Sequence, residues 1–282
     1  MSALFAIDRL ELFTNSYGRF GVAAAIEHAP TIGVHALEVA LKSHGGLLEI
    51  PESVVASENM SGAAVAGLKA SLAAHGVRAT TCNGLQRVMS EDGVATCKAR
   101  LNLARELGAT VLTGSADDVP EAQIGALYER LLQLADYAGE RGITIALETH
   151  PGIAVNADRA LQALGDLNHP RIRLNWDTAN VYYHNETMPD GEAELARVAP
   201  FVAHLHLKDS RRGFHEWYFP ALGEAGGVDF ANVGRILKDA GFDGTFSIEL
   251  EGIKGEPEPT LEERQARLAR SVQHLRDVGL VG

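Results

Sequence analysis

Apolar and polar positions divide the chain into alternating strand and helix units. Short apolar or alternating runs predict strands at Leu10–Thr14, Ala36–Leu41, Val77–Asn83, Ala109–Thr113, Ile143–Glu148, Ile172–Asp177, Val202–Ser210 and Thr245–Leu250. Helical stretches are predicted between them at Arg19–Ile32, Ser61–His75, Ser90–Leu107, Pro120–Arg141, Ala157–Leu167, Glu192–Val198, Asp229–Ala240 and about Leu261–Val278. Most of these helices run into a glycine stop, and Thr260 with Glu263 has the spacing of a capping box. Lys42–Asn59 and Ser210–Gly227 read as long loops. Regular strand–helix alternation predicts parallel strands with crossover helices, and about eight units predict an α/β fold closed as one (β/α)₈ TIM barrel over residues 1–282. No GxGxxG or GxxxxGK[ST] pattern follows the first strand, which counts against an open nucleotide-binding sheet.

Four strands carry polar groups on the side that a barrel turns inward. Barrel strands pack one side on the helix ring, and that side must be apolar. Ile145 and Leu147 take it in the fifth strand, so Glu148 faces in. By the same alternation Asn175 and Asp177 face in from the sixth strand, and His204, His206 and Lys208 from the seventh. Ser247, Glu249 and Glu251 do so from the eighth. Polar interior groups belong at the C-terminal mouth, where catalytic sites sit. Three carboxylates clustered there would repel one another, and a divalent cation removes that cost. Glu148, Asp177, His206 and Glu249 form the expected donor set, suited to Mn²⁺ first, then Mg²⁺, Co²⁺, Fe²⁺ or Zn²⁺. Taken singly, each has a plainer reading: an ion-pair partner, a helix cap for Asp177, or a core histidine. His204 lies one layer deeper, as a supporting residue. Glu38 also points in by alternation, with a structural ion pair as its plainer role.

Composition narrows the function. The chain has 282 residues, 46% hydrophobic and 22% charged, with a formal net charge of -12. Without any Lys/Arg-rich run, nucleic acid and anionic membrane surfaces are not expected partners. Cys82 and Cys97 lack metal-type spacing and read as buried free thiols. No signal peptide or membrane-spanning run is evident, so a soluble cytoplasmic protein is expected. Assembly into a homo-oligomer is compatible with the sequence. No triplet of basic residues marks a phosphate site, which favours an unphosphorylated substrate.

The motifs ALETH (Ala146–His150), NWDTAN (Asn175–Asn180), HLHLKDS (His204–Ser210), ALGEAGGVDF (Ala221–Phe230) and SIELEG (Ser247–Gly252) resemble the sugar phosphate isomerase/epimerase family with the xylose-isomerase-like barrel. The resemblance covers essentially the whole chain. It implies the same four metal ligands, with Glu148 and Glu249 also serving as acid and base on opposite faces of a sugar or cyclitol. It further implies a substrate contact from Arg212 in the loop after the seventh strand. His150, Asn180, Lys208, Trp217 and Glu224 are further candidate substrate contacts, with plainer readings as a salt-bridged lysine for Lys208, loop packing on the barrel rim for Trp217 and helix capping or loop structuring for Glu224. Several epimerases and inosose isomerases of the family carry histidine three residues after the metal aspartate. Asn180 stands there in this chain, and it can hydrogen-bond but not titrate.

The expected reaction is proton transfer at the carbon next to a carbonyl through a metal-stabilised enediolate, giving epimerisation or aldose–ketose isomerisation. Dehydration of a keto-sugar or inosose starts with the same proton removal and is the nearest alternative. Endonuclease-IV-like phosphodiester cleavage is more distant, since it needs more histidine ligands and a basic surface. A barrel that binds without catalysis is a further alternative, against which the glutamate pair argues.

Overall fold

The structure is a computed structural model that describes residues 3–42, 56–188 and 190–282. Seven parallel strands follow one another around a barrel: β1 (Leu10–Phe13), β2 (Ala36–Ala40), β3 (Arg78–Leu85), β4 (Val111–Gly114), β5 (Thr144–Glu148), β6 (Ile172–Asp177) and β7 (Val202–Leu207). A short strand, β8 (Tyr218–Phe219), leaves the barrel before β9 (Thr245–Ile248) closes it by pairing with both β7 and β1. β8 pairs antiparallel with β10 (Gly252–Ile253) above the rim. The closed (β/α)₈ barrel expected from the alternation is therefore present.

The outward strand residues are apolar and almost wholly removed from water: Ile145, Leu147, Leu174, Trp176, Leu205, Leu207, Phe246 and Ile248. They share one core with helix residues such as Leu127, Leu131, Leu134 and Ala138, which form a single stripe on the helix Ile124–Gly139. At about 25 cal/mol per Å² of apolar surface, this core is the main source of stability. The helix starts follow the residues that can cap them. Ser61, Asn156, Asp190 and Asp229 accept amide bonds from the first turns, and Thr260 with Glu263 makes the reciprocal box.

Some boundaries move for identifiable reasons. The helix expected over Arg19–Ile32 is α-helical only at Gly21–His28. Gly18 takes a φ of 54° before it, and Pro30 ends it in a 3₁₀ turn that closes at Gly33. The Ser90–Leu107 helix begins at Gly93, because Ser90 turns its hydroxyl to the Arg87 carbonyl. The expected loop Lys42–Asn59 falls mostly on residues 43–55, outside the described residues. Cys82 and Cys97 are buried and free.

A register shift also breaks strict alternation. Leu37 pairs with Ala79 but Glu38 pairs with Thr81, leaving Thr80 as an extra residue on β3. Both Thr80 and Thr81 consequently hydrogen-bond Glu11 Oε1, at 2.7 and 3.1 Å. Among the described residues no helix is long and apolar enough to cross a membrane.

Candidate metal centre

The C-terminal ends of β5, β6, β7 and β9 deliver Glu148, Asp177, His206 and Glu249 to one point. Each offers one donor atom, and all four atoms lie within 4.8 Å of one another. His206 Nδ1 is 3.3 Å from Glu148 Oε1, 3.3 Å from Glu249 Oε2 and 4.0 Å from Asp177 Oδ2. This nitrogen is buried yet has no hydrogen-bond partner. Buried polar atoms are normally satisfied, so an orphan aimed at three carboxylates fits a cation ligand. Three oxygens and one imidazole nitrogen suit a divalent metal.

Each donor is held from behind. Asp177 Oδ1 accepts the amides of Ala179 and Asn180 at 2.8 Å, capping the short helix Asn180–Tyr183. Its Oδ2 is left for the centre, so cap and ligand geometry coexist in one side chain. His206 Nε2 lies 2.9 Å from Glu38 Oε2, and Phe13 stacks on the ring at 5.2 Å. A carboxylate behind a histidine fixes the tautomer that leaves the other nitrogen free to ligate. Thr113 donates to the second oxygen of Glu38.

One layer down, His204 contacts Asn175 Oδ1 at 3.0 Å, Ser247 Oγ at 3.2 Å and Glu11 Oε2 at 3.4 Å. It is not one of the four donors, but its ring packs edge-on against that of His206 at 5.4 Å, in keeping with the supporting place expected for it. Above the donors, Lys208 Nζ is buried among Glu251 (2.5 Å), Glu249 (3.2 Å), Asn180 (3.2 Å) and Asp177 (3.5 Å).

The cluster is short of positive charge. Burial would raise Glu148, but the charges of His206 and His150 hold it well below the usual carboxylate range. Burial opposes ionisation of Glu249 too, yet Lys208 and His206 bring it down to about 2. Asp177 goes the other way: burial, aided by the Glu249 and Glu148 charges, lifts it to about 7 against the pull of Lys208. Burial disfavours the His206 imidazolium, but Glu38, Glu249 and Glu148 raise it well above the ordinary histidine value. A bound divalent ion would take over the place of these recruited protons.

A cavity of about 350 Å³ opens above the donors, within the range of small-molecule sites. Glu148, Glu249, His150, Asn180, Lys208 and Trp217 line it. Asp177 and His206 lie beneath it and are not part of its lining. Two expected substrate contacts do not reach it. Arg212 is drawn away by the buried Glu192, with both carboxylate oxygens at 3.1 Å, and by the Gly227 carbonyl. Glu224 lies on the outer surface, paired with Arg270 at 2.8 Å. The two ends of the loop that carries them are held by another residue, Asp209. Its carboxylate accepts the amides of Ser210, Gly223, Ala225, Gly226, Gly227 and Val228. Gly227 is required there, since a Cβ would meet the Ser210 carbonyl oxygen at 1.9 Å.

Glu11 and Asp209 join the inward polar groups that alternation predicts, among them Asn175, as supports of the site. Glu11 sits between Leu10 and Leu12 in the same alternation that exposed Glu148, so the signal was present in one strand more. Tyr183 and His184 also line the cavity, and nothing in their local pattern marked them.

The chain is similar in sequence to curated proteins and in fold to solved ones. Over 134 residues the chain is 29% identical to an inosose dehydratase of Erwinia tasmaniensis, covering 42% of this chain and 45% of that protein. It is 31% identical over 122 residues to an L-ribulose 3-epimerase of Methylomonas sp., covering 42% of this chain and 38% of that protein. The matched segments thus span less than half the length of these curated relatives. A solved xylose isomerase-like TIM barrel protein from Mycobacterium smegmatis, in complex with magnesium, superposes with a TM-score of 0.74 over 98% of both chains at 16% identity. At that identity the likeness speaks for the fold. The model of the xylose isomerase-like TIM barrel family matches residues 26–278, and the chain belongs to that family.

Proposed function

We propose that the chain is a divalent-metal-dependent enzyme that moves a proton at the carbon next to the carbonyl of a ketose, keto-sugar or inosose. Epimerisation or isomerisation is the favoured outcome. The observation that carries this reading is the split of the donor set: Glu148 and Glu249 line the cavity, whereas Asp177 and His206 do not. The two glutamates come from β5 and β9, with β6 and β7 between them, so they approach a substrate from different sides. A divalent ion in this centre supplies Lewis-acid polarisation of the substrate carbonyl and its neighbouring hydroxyl.

One glutamate removes the α-proton, and the other returns a proton to the opposite face or to the adjacent carbon. Each has its own basic neighbour: His150 Nε2 is 3.4 Å from Glu148 and Lys208 Nζ is 3.2 Å from Glu249. Asn180 and Trp217 are positioned to contact the hydroxyls and one face of the substrate. A second reading, loss of water from a keto-sugar or inosose after the same proton removal, is supported by the similarity to inosose dehydratases. The Lys208–Glu251 pair beside Glu249 would face the departing hydroxyl.

Proton NMR in D₂O with a panel of ketoses and inososes tests both. Deuterium at the α-carbon without water loss is the expected outcome for the first reading; water loss selects the second. Glu148→Gln and Glu249→Gln should each slow exchange by about 10²-fold or more. Full exchange in both variants would refute the acid–base assignment.

A further inference from the structure

The metal donors occupy one side of the barrel mouth. β3 is the fourth strand from β7 in either direction around the closed sheet, and β2 is likewise opposite β6. The cavity wall on that far side includes Asn15, Lys42, Asn83, Gln86 and Arg87. Lys42 follows β2 and is 8% exposed. Arg87 follows β3 directly and is exposed at the rim.

Arg87 is held in an unusual backbone state. Its φ is 53°, a left-handed conformation that a non-glycine residue seldom adopts. The surrounding loop imposes it. Arg130 donates to the Val88 carbonyl at 2.8 Å and the Ser90 carbonyl at 2.7 Å, and Asp117 accepts the Met89 amide at 2.6 Å. Ser90 Oγ donates to the Arg87 carbonyl itself at 2.8 Å, and Val88 is fully buried as an anchor. Strained residues over-determined by their surroundings concentrate at ligand sites. Among the described residues Arg87 makes no ion pair, and Asp117 in the same wall gives one carboxylate oxygen to the Met89 amide.

We propose that this far wall is an anion subsite, and that the substrate carries a carboxylate or phosphate at the end distal to its reacting carbon. The proposal rests on the proton-transfer reading for which end of the substrate reacts. With the carbonyl end at the metal donors, the distal end of a small keto-sugar or keto-cyclitol lies against Arg87. A guanidinium fork matches both anions bidentately, and neutral hydroxyls use it poorly. No basic cluster is visible in the sequence because Lys42 and Arg87 are far apart along it and reach one wall only through the pairing of β2 with β3.

The test uses the metal-loaded protein and three probes: D-ribulose, its terminal phosphate ester, and a ketose acid with a terminal carboxylate. Calorimetric binding and α-proton exchange are read for each. One anionic probe should bind at least about tenfold tighter than D-ribulose, and Arg87→Gln should remove about tenfold of that preference. Which anion wins identifies the group. Arg87→Gly, which suits the left-handed backbone, should lose the preference without losing thermal stability, separating recognition from folding. Equal binding of neutral and anionic probes overturns the proposal, as does an Arg87→Gln effect of the same size on all three. Tight, Arg87-dependent anion binding with no exchange on any probe refutes the proton-transfer reading and leaves the subsite standing. Exchange on D-ribulose with no anion preference does the reverse.

Discussion

Replacing Glu38 by glutamine probes how the imidazole of the donor set is aimed. Glu38 Oε2 is 2.9 Å from His206 Nε2, and the pair is fully buried. A hydrogen bond to a charged group contributes about 1.5–3 kcal/mol, against about 1 kcal/mol for a neutral one. The substitution also lets the amide NH₂ face Nε2, which favours the tautomer with its proton on Nδ1. Losing the charge and part of the tautomer preference costs about 1.4–2.8 kcal/mol, or about 10–100-fold in metal affinity. A second effect opposes this. Glu38 is the leading charge among those raising His206, so removing it eases proton competition at low pH. The penalty should therefore grow as pH rises. Competition titrations of Mn²⁺ and Co²⁺ against a chromophoric chelator across pH measure it, with circular dichroism to check folding. Unchanged affinity at every pH, or tighter binding at alkaline pH, would refute the assigned role.

Two further outcomes are expected. Asp209→Ala strands six loop amides and should destabilise the protein by about 3 kcal/mol or more; an unchanged melting temperature would show that water replaces the carboxylate without loss. In the metal-free protein, Asp177 ionises only near pH 7, whereas the unfolded chain releases that proton near pH 3.8. Between those values the folded state binds the extra proton, so this group's contribution to stability falls as pH rises. Chelator should accordingly lower the melting temperature more at pH 7 than at pH 5, and an equal drop at both would count against the raised Asp177.

Alternation made the barrel and the metal donors legible, because a period of two assigns every residue of a strand to a face. Glu148 and Glu249 sit where that count is undisturbed, and Asp177 and His206 keep it because both lie above the shift that pairs Leu174 with Val202 but Asn175 with His204. It fails where strand pairing shifts: Thr80 and Thr81 both serve Glu11, and no count along β3 alone could give that. The loops carried no such periodicity. Arg212 has a plausible spacing from His206, but its direction is decided by Glu192, which lies in a helix before β7. The partnership of Asp209 with amides from Ser210 to Val228 depends on the path of a loop, which side-chain pattern does not encode.

Those same contacts bear on how reliably β7 finds its place. A slip of one residue would turn His206 outward and seat Leu205 or Leu207 in its stead. Such an error is checked at both ends of the strand. At the bottom His204 would abandon Asn175, Ser247 and Glu11. At the top Asp209 would lose the amides that fold the following loop. Neither anchor requires the metal, so the protein can proofread the alignment of its imidazole before any ion arrives.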